Sequence, residues 1–390
     1  MTSNSKQRGI SVASLVAATL VLILSVASAD SVVAAGKDNP AAKAQWDRRA
    51  AARYLDGRQI WWQGWDHAKR DHGTICVSCH TVVPYAMARP VLRGELGEQG
   101  PSAAEQVMLA NIEKRVREWD QMEPFYNDAT SGAGKSVESR NAESVLNSII
   151  LASYDAHAGK PSEIARMAFA NAWALQSKTG LDAGAWVWQN FNYAPWEGPT
   201  SQYYFAAQMA IAAGVEPGRN GKEAGLAIDD PNLDPNLKLL LGYLRSHYEA
   251  QPLLNKVVAL WAGHYFPGVL TLAQQNKLIE DLNRLQHEDG GWSLTDLGTW
   301  ERRDITPLET RSDGFATGLI VLAMEKSTAN ADNIPQVTKG IAWLVANQDK
   351  KTGAWPAWSL NKNRDPASDA GPFMSDAATG YAVMALEARR

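Results

Sequence analysis

Between residues 41 and 69, Trp46, Tyr54, Ile60, Trp61 and Trp65 recur at broadly helical intervals among Ala, Arg, Gln and Leu, which predicts a helix with one buried face. Pro84 and Pro90 then predict a break, with a loop running to about Pro101. Ser102, followed three residues later by Glu105, reads as a capping box that opens a second helix over 103–119. Helical patterning continues to the C-terminus, so the expected fold class is all-α.

Beyond Tyr126 one arrangement recurs: an apolar helix, a Gln, a short turn with Gly-x-Trp, an irregular loop and a second apolar helix. The clearest copy runs through 272–286, Asp289-Gly290-Gly291-Trp292, and Ser312-Asp313-Gly314-Phe315-Ala316-Thr317-Gly318 opening a helix to 325. The next runs through 337–348, Gly353-Ala354-Trp355, and Ser375-Asp376-Ala377-Ala378-Thr379-Gly380 opening a helix to 388. Gln286 to Gln348 and Thr317 to Thr379 are both 62 residues apart, so two separate landmarks share one period. A weaker copy spans 168–176, Gly184-Ala185-Trp186 and 201–213; helices at 237–249 and 253–265 fill the gap without the turn, and 142–154 is an earlier helix of the second type. The pattern predicts a stack of helical pairs, each too small to bury its apolar face alone.

Lys6 and Arg8 precede an apolar run over 10–26 and then Ala27-Ser28-Ala29, which reads as a secretory signal cleaved after Ala29. An uncleaved anchor on the outer face of the cytoplasmic membrane is the alternative reading, and no other stretch reaches the length of a span. The expected location is periplasmic or secreted. Without Lys6 and Arg8 the 38 basic residues against 42 acidic become 36 against 42, a net charge of −6. A mildly acidic chain without basic runs argues against nucleic acid, and against an anionic membrane surface, as a partner.

The chain's two cysteines stand in Cys76-Val77-Ser78-Cys79-His80, the spacing of c-type haem attachment. Two thiols so placed can form thioethers with the two vinyl groups of one haem while His80 reaches the iron as its fifth ligand. A redox dithiol belongs in a βαβ setting absent here, and a zinc site would have to count the crowded set His72, Cys76, Cys79 and His80. For the other face of the iron, Met122 in Asp120-Gln121-Met122-Glu123-Pro124 is the first candidate; Met87 stands too close to His80, and Met374 could reach only a haem that faces the second half of the chain. Arg89 and Arg93 are candidate partners for haem propionates. The run Trp186, Trp188, Phe191, Tyr193, Trp196, Tyr203, Tyr204 and Phe205 reads either as a cavity lining or as packing between repeats, and His157, His247, His264 and His287 as surface or core histidines.

The residues from Cys76 to His80 resemble the attachment motif of the cytochrome c family, which implies one covalent haem c carried by a small helical unit over 41–130. Gln286 to Trp292 and Gln348 to Trp355 resemble the QW repeats of squalene and hopene cyclases and, more broadly, the α/α toroid shared with protein prenyltransferases, some pectate lyases and complement-like thioester domains. That resemblance implies, over 131–390, a toroid of about five helix pairs. Its inner helices would begin at Ala142, Ser201, Leu253, Ser312 and Ser375 around a central cavity, with the haem unit preceding it or merged with it. It implies a fold rather than an activity. The protonating Asp-x-Asp-Asp motif is absent, since Ala227-Ile228 precede Asp229-Asp230; both cysteines are taken, leaving none for a prenyltransferase zinc; and Leu96 stands where a thioester cysteine would precede Gly97-Glu98-Gln99.

These features together lead to an expected periplasmic c-type haem protein in electron transfer, with the toroid as a binding or docking domain and the redox partner unread. The alternatives are a haem oxidoreductase acting on an organic, apolar substrate in the toroid cavity, and a haem-free carbohydrate- or lipid-binding or lyase-like toroid.

Overall fold

A computed structural model of the chain describes residues 45–217, 230–327 and 334–388; the expected signal segment 1–29 lies outside them. The described elements are helices, arranged as six pairs. Outer α1 (Arg48–Gly64) leads to inner α2 (Val82–Leu96); outer α3 (Ala103–Arg117) and the single turn α4 (Asp128–Ser131) lead to inner α5 (Lys135–Ala158). Then come outer α6 (Glu163–Leu175) and inner α7 (Ser201–Val215), outer α8 (Pro235–His247) and inner α9 (Leu253–Tyr265), outer α10 (Leu272–Leu285) and inner α11 (Gly314–Ser327), and outer α12 (Pro335–Ala346) and inner α13 (Phe373–Glu387). Burial separates the two rings: α10 buries only Leu278 and Leu282, whereas α11 buries every residue from 314 to 324. A helix apolar all round has to be surrounded, and a helix with one apolar stripe has to face water.

The inner helices touch in the order α2, α5, α7, α9, α11, α13 and back to α2, which closes an α/α toroid. Repeated residues make the joints. Gln176 Nε2 bonds Gly184 O and Asn236 O at the start of α8; Gln286 Nε2 bonds Gly290 O and Gln336 O at the start of α12; Gln348 Nε2 bonds Gly353 O and Asp47 O, just ahead of α1. Each repeat glutamine therefore ties its own turn to the next outer helix, and the last one ties the chain's end to its beginning. Gly184, Gly290 and Gly353 all have positive φ, and a Cβ on them would strike the backbone of Leu239, Lys339 and Ala50 respectively, so only glycine lets these turns approach the next outer helix. On the inner ring Gly318 packs against α13 and Gly380 against Pro84 of α2, the same repeat position meeting the next helix.

Two expectations change here. The loop expected from Pro84 to Pro101 is mostly the inner helix α2, with Pro84 in its first turn, where a missing N–H costs nothing, and Pro90 inside it. Pro90 leaves the Ala86 carbonyl without its helical donor, and Ser153 of α5 places its hydroxyl there at 3.5 Å. With α2 counted, the toroid has six pairs rather than about five. The haem unit expected over 41–130, preceding the toroid expected over 131–390 or merged with it, packs on that toroid: α1 and α2 lie against α13, and α2 against α5.

Candidate functional site

The Cys76 to His80 segment enters the N-terminus of inner helix α2. Each residue around it is held by a named contact: Cys76 N donates to Ala68 O (2.8 Å), Trp62 Nε1 to Cys76 O (2.7 Å), and Ile75 exchanges two bonds with the Asn111 amide (2.8 and 3.0 Å). Below it the buried Arg115 donates to Thr74 Oγ1 (2.5 Å), Glu143 (2.5 and 3.1 Å) and Glu123 O (2.7 Å), which pins the loop to α3 and α5. Ser78, between the two cysteines, accepts from Thr81 N (3.3 Å) and Val82 N (3.1 Å), satisfying orphan donors at the start of α2.

His80 is clamped. Phe373 stacks on its ring at 3.8 Å between centroids, Trp62 meets it edge-on at 5.1 Å, and Trp196 lies at 5.9 Å. Its Nδ1 lies 2.8 Å from Thr81 Oγ1, which donates to Asp376 Oδ2 at 2.7 Å. Burial, reinforced by the Arg58 and Arg364 charges, pushes its pKa down to about 3, so the ring is neutral. Burial also pushes the Cys76 thiol up to about 12 and the Cys79 thiol upward, and both are free thiols. Neither is the low-pKa thiolate that a reactive dithiol requires.

Cys79 and His80 open into a cleft of about 260 Å³ walled by Trp62, Trp65, Tyr126, Tyr193, Trp196 and Phe373, with Met374, Glu197, Asn361 and Arg364 among its other walls. The Tyr126 hydroxyl in this wall is pushed up by burial first, then by Cys76 and Glu197, and also by Cys79. Burial pushes the Glu197 carboxyl up to about 7. The donor set suits a covalently held haem: two protonated thiols, a neutral imidazole with one engaged nitrogen, an aromatic wall and a cleft arginine.

The sequence-predicted residues divide. Cys79, His80, Tyr193, Trp196 and Met374 come together in the cleft, whereas Cys76 is buried and is not among the residues lining it. Met122 is buried, its carbonyl taken by Arg140, and does not line the cleft; Met87 lines a cavity at the other end of the inner helices. Arg89 and Arg93 are committed elsewhere, Arg89 to Asp56 (3.0 Å) and Glu98 (2.7 Å), Arg93 to Glu105 (2.5 Å), so the cleft's own arginine, Arg364, replaces them as the propionate candidate. His72 is exposed and turns to Glu118 at 3.6 Å, and among the described residues no group of three His, Cys, Asp or Glu side chains converges as metal ligands. Of the aromatic run, Trp186, Trp188, Tyr203 and Phe205 are packing between helices. Thr81, Phe373 and Asp376 escaped the sequence reading as site residues, although Thr81 adjoins the motif and Asp376 stands in a repeat. His287 bridges Asp296 (2.9 Å) and Ser312 (3.0 Å), but the buried Ser312 hydroxyl also donates to Asp289 (2.7 Å), so the trio offers no free nucleophile.

A second cavity, of about 280 Å³, is lined from the middle to the C-terminal ends of all six inner helices, including Val91, Ile149, Gln208, Trp261, Leu322 and Met384. The haem-motif cleft lies where α2, α5, α7 and α13 begin, so the two are at opposite ends of the ring. Between them Trp196 packs on Phe315, Phe315 on Tyr381, and the Tyr381 hydroxyl bonds Tyr204 (2.5 Å) and Gln208 (2.8 Å). These buried side chains partition the axis.

Six inner helices within an outer ring define the class, an all-α protein of α/α-toroid architecture. The squalene–hopene cyclase of Zymomonas mobilis subsp. mobilis is similar to this chain, 28% identical over 144 residues that span 34% of this chain and 20% of the cyclase. The chain thus matches about a fifth of that cyclase's length. No protein-family model matches the chain.

Proposed function

We propose that the chain is a periplasmic c-type haem protein that transfers electrons, with the toroid as the frame holding the attachment segment. The single observation that carries this reading is the meeting of Cys79 and His80 in one aromatic cleft, with Cys76 three residues earlier in the same segment. Each thiol would add across a vinyl group, S–H and C=C becoming C–S and C–H, which consumes no redox equivalents. Bound there, a haem would supply a one-electron couple. The chain's own part is to hold His80 by Phe373 and Trp62, to keep water from the motif with Trp65, Trp196 and Tyr193, and to offer Arg364 to a propionate. Met374, beside Phe373 in the cleft, becomes the candidate for the iron's other face. The partition between cleft and cavity supports electron transfer over oxidation of a substrate lodged in the toroid cavity.

The test is expression of the chain with its signal in a host that attaches haem in the periplasm, followed by haem staining after denaturing electrophoresis. A stained band lost in the Cys76→Ala/Cys79→Ala double variant is expected; an unstained wild-type band overturns the reading.

A further inference from the structure

We propose that Asp376, acting through Thr81, is a positioning residue that holds His80 in its Nδ1-protonated form and so presents Nε2 to the cleft as a lone-pair donor; this rests on the reading of His80 as an iron ligand. Asp376 is fully buried in the first turn of α13 and receives three donors: Tyr54 Oη at 2.7 Å, Arg58 Nε at 2.8 and 3.1 Å to its two oxygens, and Thr81 Oγ1 at 2.7 Å. The paired guanidinium keeps it an acceptor. A threonine hydroxyl has one proton, and here it is given to the carboxylate, so the oxygen that faces His80 Nδ1 at 2.8 Å acts as an acceptor. Nδ1 therefore carries the ring proton. A neutral imidazole has only one, which leaves Nε2 bare.

A hydrogen bond into a relay that ends on an anion also makes the ring a stronger donor to a metal. The arrangement is not a by-product of the repeat: on the 62-residue period Asp376 falls where α11 has Gly314, while Asp313 falls where α13 has Ser375, Leu294 N donating to Asp313 (2.6 Å) as Ala357 N donates to Ser375 Oγ (3.2 Å). Thr81 and Asp376 are 295 residues apart, and Tyr54 and Arg58 come from α1. The donor form of His80 thus exists only after α13 has closed on α1 and α2, which couples competence of the haem motif to completion of the ring.

The test begins with the full-length chain made without haem and labelled with nitrogen-15 at histidine, read by long-range proton–nitrogen correlation. His80 is expected to show a protonated Nδ1 and a bare Nε2; the opposite tautomer in the wild-type chain overturns the proposal without any variant. Thr81→Val is expected to lose this preference and Thr81→Ser to keep it, with tryptophan fluorescence confirming the fold. An unchanged tautomer in folded Thr81→Val overturns the relay. In the haem-loaded protein Thr81→Val is expected to shift the midpoint potential upward, since a weaker donor stabilises the oxidised iron less, and Thr81→Ser to leave it near the wild-type value. Equal potentials in all three overturn the relay's role at the iron. A wild-type chain that never takes haem covalently overturns the cofactor reading instead, and the tautomer then stands or falls on the first spectrum.

Discussion

The helix pairs α10–α11 and α12–α13 are copies of one arrangement that end in different chemistry. In both, the tryptophan Nε1 donates to a leucine carbonyl of the outer helix at 2.7 Å, from Trp292 to Leu282 and from Trp355 to Leu344. In both, the tryptophan N–H donates to the inner-helix threonine, Thr317 at 2.9 Å and Thr379 at 3.1 Å. The buried aspartates stand at different positions of the repeat, Asp313 where the last copy has Ser375 and Asp376 where the previous copy has Gly314. Asp313, buried without a cation, is pushed up to about 7, while Asp376 is raised by burial but drawn back by Arg58. The packing residues repeat because each copy has the same neighbour problem, an outer helix to anchor and an inner helix to join. The Gly314 position carries Asp376 in the last copy, which alone meets the N-terminal pair through Arg58 and Thr81.

The largest expected effect tests whether the last copy is a true ring member or a frayed end. Trp355→Ala should cost about 3–5 kcal/mol in urea-induced unfolding, the same as Trp292→Ala, because both rings are fully buried. A much smaller cost for Trp355→Ala would mean that the ring is open in solution. Asp376→Ala comes next, at roughly 3 kcal/mol, because it leaves the Arg58 guanidinium in a buried setting without its carboxylate. Asp313→Ala should cost only about 1 kcal/mol, the loss of a helix cap. Equal costs at the two positions would erase the distinction drawn between the copies.

Gln348→Ala should destabilise by about 1–3 kcal/mol, since two carbonyls, Gly353 and Asp47, lose their shared donor. Gln286→Ala should match it, and a chain truncated before α1 should lose the Gln348 effect alone.

A further effect is one of pH. The Glu197 carboxyl, raised from 4.5 to about 7, binds its proton more tightly folded than unfolded. Its contribution is therefore favourable below pH 4.5, is lost as pH rises toward 7, and is absent above. Glu197→Gln should remove about 1–2 kcal/mol of that fall, the upper part of the shift being discounted because the side chain is only half-buried. Denaturation midpoints at pH 5 and pH 8, compared between wild type and variant, measure it; parallel profiles would place Glu197 in contact with solvent.

Much of the architecture was legible in the chain itself. Helix 253–265 matches α9 residue for residue, and Ser102 and Glu105 form the capping box that their spacing promises. The Gln and Gly-x-Trp landmarks mark joints because their chemistry is local: a glutamine amide bonds the carbonyl of its own turn, and a glycine adopts positive φ without strain. In each case the physical cause lies within a few residues of its effect.

What the tertiary structure decided involves partners far apart in sequence. Two prolines argue locally against a helix over 82–96, yet burial of its apolar face and the Ser153 hydroxyl on the Ala86 carbonyl outweigh that preference. Arg89 and Arg93 follow the Cys76 to His80 segment closely, but two to three turns of α2 carry them to Asp56, Glu98 and Glu105 and away from the cleft. Asp376 reads as another cap until ring closure places Thr81 and Arg58 against it. Periodicity specifies which face of a helix must be buried. It does not specify which polar group from the far end of the chain will be waiting there, because that depends on the closure of the whole ring and on the cost of leaving any buried charge or hydroxyl without a partner.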